Sequence, residues 1–186
     1  IGHLPGGLAI ATTGACAGFG AICGSGPATA ATMASVALPE MRRYGYSDEI
    51  SSGAVASGGS LGMLIPPSVV FIVYALMTEQ SIGSLFLAGI IPGIIISLLF
   101  CIAIIIRCLM KPSLGPAGPK SDWKTRFLSL GNVIETVLLF VTVIGGMFIG
   151  LFTPIEAAAV GAAGSLVVAF VKRQLSLEKI KRIIFE

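Results

Sequence analysis

Residues 50–78 read ISSGAVASGGSLGMLIPPSVVFIVYALMT and contain no Asp, Glu, Lys or Arg. Such a run exceeds the roughly 20 apolar residues that cross the hydrocarbon core of a bilayer. Its middle nevertheless holds Gly58, Gly59, Gly62, Pro66 and Pro67, which weaken or interrupt a helix. The spacing therefore predicts a transmembrane helix that is broken part-way along.

The rest of the chain fits a lipid setting. Charged residues make up 11% of the 186 residues, against about a quarter in soluble domains. The mean hydropathy is +0.96. Residues 85–106 and 136–155 are also uncharged and long enough to span. The net charge of +3 does not indicate a nucleic-acid partner, because the basic residues fall in the gaps between apolar runs, as topology signals do. Cys16, Cys23, Cys101 and Cys108 lie inside apolar runs without zinc-type spacing and read as packing residues. The opening at Ile1 shows no cleavable signal pattern, so the sequence reads as an excerpt.

Upstream of the broken span, residues 8–23 and 28–39 are two small-residue apolar limbs parted by Gly24, Ser25, Gly26 and Pro27. Neither limb crosses a bilayer alone. A re-entrant hairpin with both ends on one face accounts for them, and a single kinked span is the alternative. The fold class is accordingly an all-α, polytopic helical membrane protein with a re-entrant helical hairpin and a broken transmembrane helix. Its parts are a hairpin with its cytoplasmic end at 1–45, the broken helix plus the following span at 46–108, and a cytoplasmic linker at 109–130. A transmembrane helical pair at 131–172 and a cytoplasmic amphipathic tail at 173–186 complete them. Arg42 and Arg43, the Arg107–Arg126 cluster and the Lys172–Arg182 cluster can all face the cytoplasm, with the loops near Glu79 and Thr153 external. Leu177, Ile180, Ile183 and Ile184 give the tail a helical apolar stripe, fitting a membrane surface or a soluble linker helix.

Irregular backbone at membrane depth strands N–H and C=O groups at several kcal/mol each unless protein, water or an ion satisfies them. GSGPAT (24–29) and SGGSLGMLIPPS (57–68) are the two expected breaks. Half-helix N-termini there can face an anionic substrate, and unwound carbonyls can coordinate a cation such as sodium. The candidate sodium and substrate residues are Ser25, Gly26, Pro27, Ala28 and Thr29, with Ser57, Gly58, Gly59, Ser60, Pro66, Pro67 and Ser68. Against this stands a packing role for the glycines and simple bending by the prolines. Gly14 with Gly18, Gly89 with Gly93 and Gly146 with Gly150 read as packing faces.

Gly58–Gly62 also satisfies the G-x-S-x-G pattern of a serine hydrolase, but it lies in an apolar span of a chain whose one histidine is His3. Thr153, Pro154 and Glu156 form a capping box, and Glu135 follows Asn132 in a first helical turn, so both carboxylates read as helix-start residues.

Four blocks carry a family resemblance: GSGPATAATMASVALPEMRRYGY, SGGSLGMLIPPSVVFIVYAL, FLAGIIPG and GLFTPIEAAAVGA. In order and spacing they resemble the large membrane subunit of tripartite ATP-independent periplasmic (TRAP) transporters, over nearly the whole chain. The resemblance implies the first of two inverted repeats of an elevator-type carrier, with the hairpin tip at Ser25–Thr29 meeting the Gly58–Ser68 break. It implies sodium as the coupling ion with no other cofactor, and a small organic acid such as a dicarboxylate or sugar acid as substrate. The implied partners are a periplasmic substrate-binding protein, a small membrane subunit and the lipid bilayer of a bacterial or archaeal inner membrane. No enzymatic activity is implied. Departures from the pattern are Gly26 and Pro27 where paired serines are common, and Ile155 where threonine is common. A related carrier that needs no binding protein, an intramembrane serine hydrolase and a purely scaffolding helical bundle remain as alternatives.

Overall fold

A computed structural model describes residues 4–118 and 134–172. They form helices α1 (Gly7–Cys23), α2 (Gly26–Arg43), α3 (Asp48–Leu64), α4 (Val69–Thr78) and α5 (Ile82–Met110), a short 3-10 turn at Pro112–Leu114, then α6 (Ile134–Phe148) and α7 (Pro154–Val171). No strand occurs among the described residues. The chain divides into two compact units, residues 1–122 and residues 123–186.

In the first unit, α1 and α2 form an antiparallel hairpin and α3 packs along both limbs. The open end of the hairpin, the start of α3 and the end of α5 share one apolar cluster that includes Ala9, Met41, Tyr46, Ile50, Ile104 and Leu114. The residues after α5 close this cluster. Gly6 N–H donates to the Gly115 carbonyl at 2.9 Å and Ser47 N–H to the Leu114 carbonyl at 3.0 Å. The Tyr46 hydroxyl accepts from Leu8 N–H at 3.0 Å, and burial pushes its pKa up. Around the rim, Arg42 pairs with Asp48 at 2.7 Å and Arg107 pairs with Glu49. These pairs are solvent-exposed and contribute about 0–1 kcal/mol each, so the apolar cluster does most of the holding.

Length places the interruptions at depth. At 1.5 Å per residue, the 17 residues of α1 and of α3 each reach about 25 Å, while the 29 residues of α5 reach about 43 Å. Because α1 and α3 begin, and α5 ends, at the same end of the bundle, the hairpin tip and the end of α3 stop part-way along α5. Leu87, Ile91, Ile94, Ile95, Leu98 and Leu99 leave α5 apolar on its outward face. That is the surface of a helix whose solvent is hydrocarbon or more protein. The segments Asp48–Thr78 and Ile82–Met110 are each long and apolar enough to cross a bilayer.

Both breaks are shorter than the sequence suggests. Of residues 24–29, Gly24 and Ser25 alone lie outside helix, because Pro27 sits in the first turn of α2, where a missing N–H costs nothing. Of residues 57–68, Ser57 to Leu64 continue α3 and the break is Ile65–Ser68. The glycines do not unwind α3 because other helices occupy the space their side chains would fill. A Cβ on Gly59 would lie 2.6 Å from the Ala30 Cβ, and one on Gly62 would lie 2.8 Å from Thr29 Oγ1. Pro66 and Pro67 do unwind it, since they withhold the N–H groups that the Gly62 and Met63 carbonyls would accept in a continuing helix. The hairpin limbs also run longer than expected, with α2 passing through Pro39 to Arg43.

In the second unit, α6 and α7 form a helical pair joined by the turn at Gly150, whose φ is +77°. Thr153 caps α7 as expected: its Oγ1 accepts from Glu156 N–H at 3.3 Å, and its N–H donates to Glu156 Oε2 at 2.8 Å. Asn132, the Glu135 side chain, residues 119–130 of the linker, the tail at 173–186 and His3 lie outside the described residues.

Gly59→Ala should destabilise the complete protein by about 1–3 kcal/mol through overpacking of α2 on α3. Gly53→Ala, where a Cβ meets nothing within 4 Å, should be neutral or stabilising. Thermal unfolding midpoints in detergent check the contrast, and equal shifts for the two variants would contradict it.

Candidate functional site

The hairpin tip and the α3–α4 break meet through their main chains. Gly24 ends α1 in the left-handed region at φ +66°, and its N–H donates to the Gly20 carbonyl at 2.7 Å. Its own carbonyl accepts from Val69 N–H at 3.2 Å. A side chain here would be strained by φ and would put a Cβ 2.9 Å from the Pro67 carbonyl oxygen. Glycine is what allows two backbones to touch at this depth.

Beside that contact, Ser25 is the N-cap of α2, and its Oγ lies 3.5 Å from Ala28 N. Thr29 is fully buried, and its Oγ1 and N–H both donate to the Ser25 carbonyl, at 2.7 and 3.0 Å. Gly62 lies close enough that a Cβ would stand 3.1 Å from that carbonyl and 3.2 Å from the Gly20 Cα. On the break, the fully buried Ser68 donates its Oγ to the Met63 carbonyl at 2.6 Å. This hydroxyl supplies the donor that Pro67 lacks. Ser68 makes no side-chain cap for α4, so the first-turn N–H groups beyond Val69 have no capping side chain.

Four helix ends thus gather at one point. α1 and α3 arrive with their C-termini, and α2 and α4 leave with their N-termini. The helix dipole makes the former partially negative and the latter partially positive, about half an elementary charge each at full length. Residues 24–29 and 57–68 contain no charged side chain. The field at the junction comes from oriented main chain and hydroxyls, which suit a hard cation on the carbonyl side and an anionic group on the N–H side.

The structure brings Ser25, Gly26, Thr29, Gly59, Pro66, Pro67 and Ser68 to this junction. Gly26 stacks over α3, where a Cβ would stand 3.2 Å from the Gly59 carbonyl oxygen. Pro27 and Ala28 are on the exposed outer face of α2. Ser57 and Ser60 turn back on their own helix, Ser57 Oγ donating to the Gly53 carbonyl at 2.7 Å and Ser60 Oγ to the Ser57 carbonyl at 2.6 Å. Gly58 faces Cys16 below the junction. Ser60 lies within an unbroken stretch of α3, so the strand–turn–helix context of a nucleophile elbow is not present around it.

The sequence reading places Gly24, Met63 and Ile65 inside the two expected breaks without singling them out as candidate site residues, and it does not reach Gly20. Counting back four residues from each proline would have found the carbonyls of Gly62 and Met63. Of the expected packing faces, Gly89 and Gly93 do seat the break, against Leu64, Ile65 and Phe71, and Gly146 seats Phe152. Gly14 and Gly18 have nothing within 4 Å, and Gly150 serves a turn instead. Those spacings allow close approach but do not supply a neighbour.

Two interrupted helical elements meeting in a bundle with an apolar outward face form the architecture of an all-helical membrane protein. The chain belongs to the family described as "Tripartite ATP-independent periplasmic transporter, DctM component", whose profile matches residues 1–186. It is 42% identical to a C4-dicarboxylate TRAP transporter large permease protein of Pseudomonas aeruginosa over 100% of this chain and 43% of that protein. It is 37% identical to an ectoine TRAP transporter large permease protein of Halomonas elongata, over 92% of this chain and 40% of that protein. A sialic acid TRAP transporter permease protein of Haemophilus influenzae is 35% identical over 96% of this chain and 29% of its own length. The chain spans about two fifths, or less, of the length of these relatives.

Ser68→Ala removes the buried donor to the Met63 carbonyl and should destabilise the complete protein by about 1–3 kcal/mol. Ser57→Ala should change stability by less than about 0.5 kcal/mol. Chemical or thermal unfolding in detergent reads both, and a silent Ser68→Ala would show that the break does not depend on this bond.

Proposed function

We propose that this chain is part of the large membrane subunit of a sodium-coupled carrier for a small organic acid. The single observation that carries the reading is the contact between the Gly24 carbonyl and Val69 N–H, which joins the hairpin tip to the broken helix. The junction serves two charges. Carbonyls at the ends of α1 and α3, with the hydroxyls of Ser25 and Thr29, suit sodium. The uncapped first turn of α4 and the N-terminus of α2 suit the carboxylate. Binding of both at once offsets the cost of stranded main-chain groups at membrane depth.

The relatives named for C4-dicarboxylate, ectoine and sialic acid differ in size and charge. A carboxylate is common to the three molecules, and the junction offers dipoles rather than a tailored pocket for the remainder. Selectivity for the whole acid therefore falls to residues elsewhere in the complete subunit and to a periplasmic substrate-binding protein that delivers it. A small membrane subunit and a bacterial or archaeal inner membrane complete the setting. The Arg42, Arg43 and Arg107 end faces the cytoplasm.

The complete transporter, reconstituted in proteoliposomes, should accumulate the acid when sodium is higher outside and when the binding protein is supplied. Equal uptake with choline replacing sodium would sink the coupling. Uptake without any binding protein would instead favour a self-sufficient sodium-driven carrier. In the same assay Thr29→Val, which keeps volume and loses the bond to the Ser25 carbonyl, should raise half-saturating sodium by about five- to tenfold, the worth of roughly 1 kcal/mol. An unchanged sodium dependence would remove Thr29 from the site.

A further inference from the structure

The break is held from two sides. The hairpin tip touches it at Gly24, and on the other side lies α5, whose Gly89 and Gly93 form a notch one turn long. Ile65, inside the break, seats on Gly93, where a Cβ would stand 2.8 Å from Ile65 Cγ1. Gly89 receives the two flanks of the break together. A Cβ there would meet the Phe71 ring and would lie 3.2 Å from the Leu64 carbonyl oxygen. Leu64 is the last residue of α3, and Phe71 lies in the first turn of α4. The Phe71 ring is fixed in turn by Phe86, 1% exposed, at a centroid distance of 6.5 Å and an interplanar angle of 46°.

We propose that Gly89 and Gly93 are positioning residues for the junction: the α5 notch sets the lateral position of the break, and so the distance between the first turn of α4 and the Gly24 carbonyl. This rests on the sodium and carboxylate reading of the junction and adds the element that tunes it. The physical reason lies in what must yield when the notch is filled. A methyl group at Gly89 runs into an aromatic ring carried by α4, which is joined to α3 by four non-helical residues, Ile65–Ser68. Moving α4 is the easiest relief, because α3 is clasped by both hairpin limbs while α4 packs mainly on α5. A displacement of α4 stretches the 3.2 Å hydrogen bond from Val69 to Gly24 and turns the α4 N-terminus away from the tip. Site geometry then changes while the bundle beneath it stays intact.

The test uses the complete transporter with its partners, in proteoliposomes, with sodium varied at saturating substrate and binding protein. Gly89→Ala is expected to raise half-saturating sodium by about tenfold, within the usual range of site-to-site coupling, while uptake at saturating sodium stays within about twofold of the unmodified protein. Phe71→Leu combined with Gly89→Ala removes the ring the methyl strikes and should restore half-saturation to within about threefold. Gly83→Ala, where the nearest atom to a Cβ is Ser81 Oγ at 3.9 Å, serves as the control and should leave half-saturation unchanged. Should Gly89→Ala fail to assemble, Phe71→Leu alone, which empties the notch, must still shift half-saturating sodium. An unchanged half-saturation in Gly89→Ala, or in Phe71→Leu where Gly89→Ala does not assemble, or a loss confined to maximal uptake and thermal stability, overturns the positioning role. A sodium-independent unmodified protein overturns the underlying coupling instead.

Discussion

The hydrogen bond from Val69 N–H to the Gly24 carbonyl is the constraint around which the first unit is arranged. Each partner is a main-chain group left over from an interrupted helix, and neither helix could satisfy it alone. Exposing such groups to hydrocarbon costs several kcal/mol apiece, so the two interruptions stabilise each other only if they sit at the same depth. That condition explains the matched lengths of α1, α2 and α3, each of 17 or 18 residues measured from one shared end. The apolar cluster around Met41 and Tyr46 holds that end together and so fixes where the tips arrive.

Close approach is the second requirement, and small residues meet it in a connected series. Gly20 lies against Gly62, Gly59 against Ala30, Gly58 against Cys16, and Gly89 and Gly93 against the far side of the break. Helices in lipid gain little from apolar burial alone, so contact between backbones has to supply the attraction through dispersion. The same series brings the Thr29 hydroxyl beside Gly62 without a side chain between them. Packing and site are therefore not separable here, since the residues that let the helices approach also line the junction.

Much of this was legible in the chain itself. The absence of charge between residues 50 and 78, the proline pair and the Gly-Ser-Gly-Pro turn sufficed for an all-helical membrane fold with a hairpin and a broken helix. The capping box at Thr153 and Glu156 was equally plain, because both partners lie within one turn. The extent of the breaks was not legible. Glycine signals either unwinding or close packing, and which one holds at Gly58, Gly59 and Gly62 depends on whether a neighbour fills the vacant side. Ser57 and Ser60 illustrate the same limit: a serine in a helix can face a site or bond the preceding turn, and only the rotamer distinguishes them.

What the sequence by itself determined is that helical ends must occur near Gly24 and at the Pro66–Pro67 pair, because adjacent prolines withhold two successive N–H groups and a left-handed turn favours glycine whatever surrounds them. Tertiary structure alone decided which of those ends meet. The pairing of Gly24 with Val69, and the seating of Ile65 and Phe71 on Gly93 and Gly89, join residues far apart in the chain. No local pattern encodes such partners, since they follow from the common origin of the helices at one end of the bundle and the length each one runs.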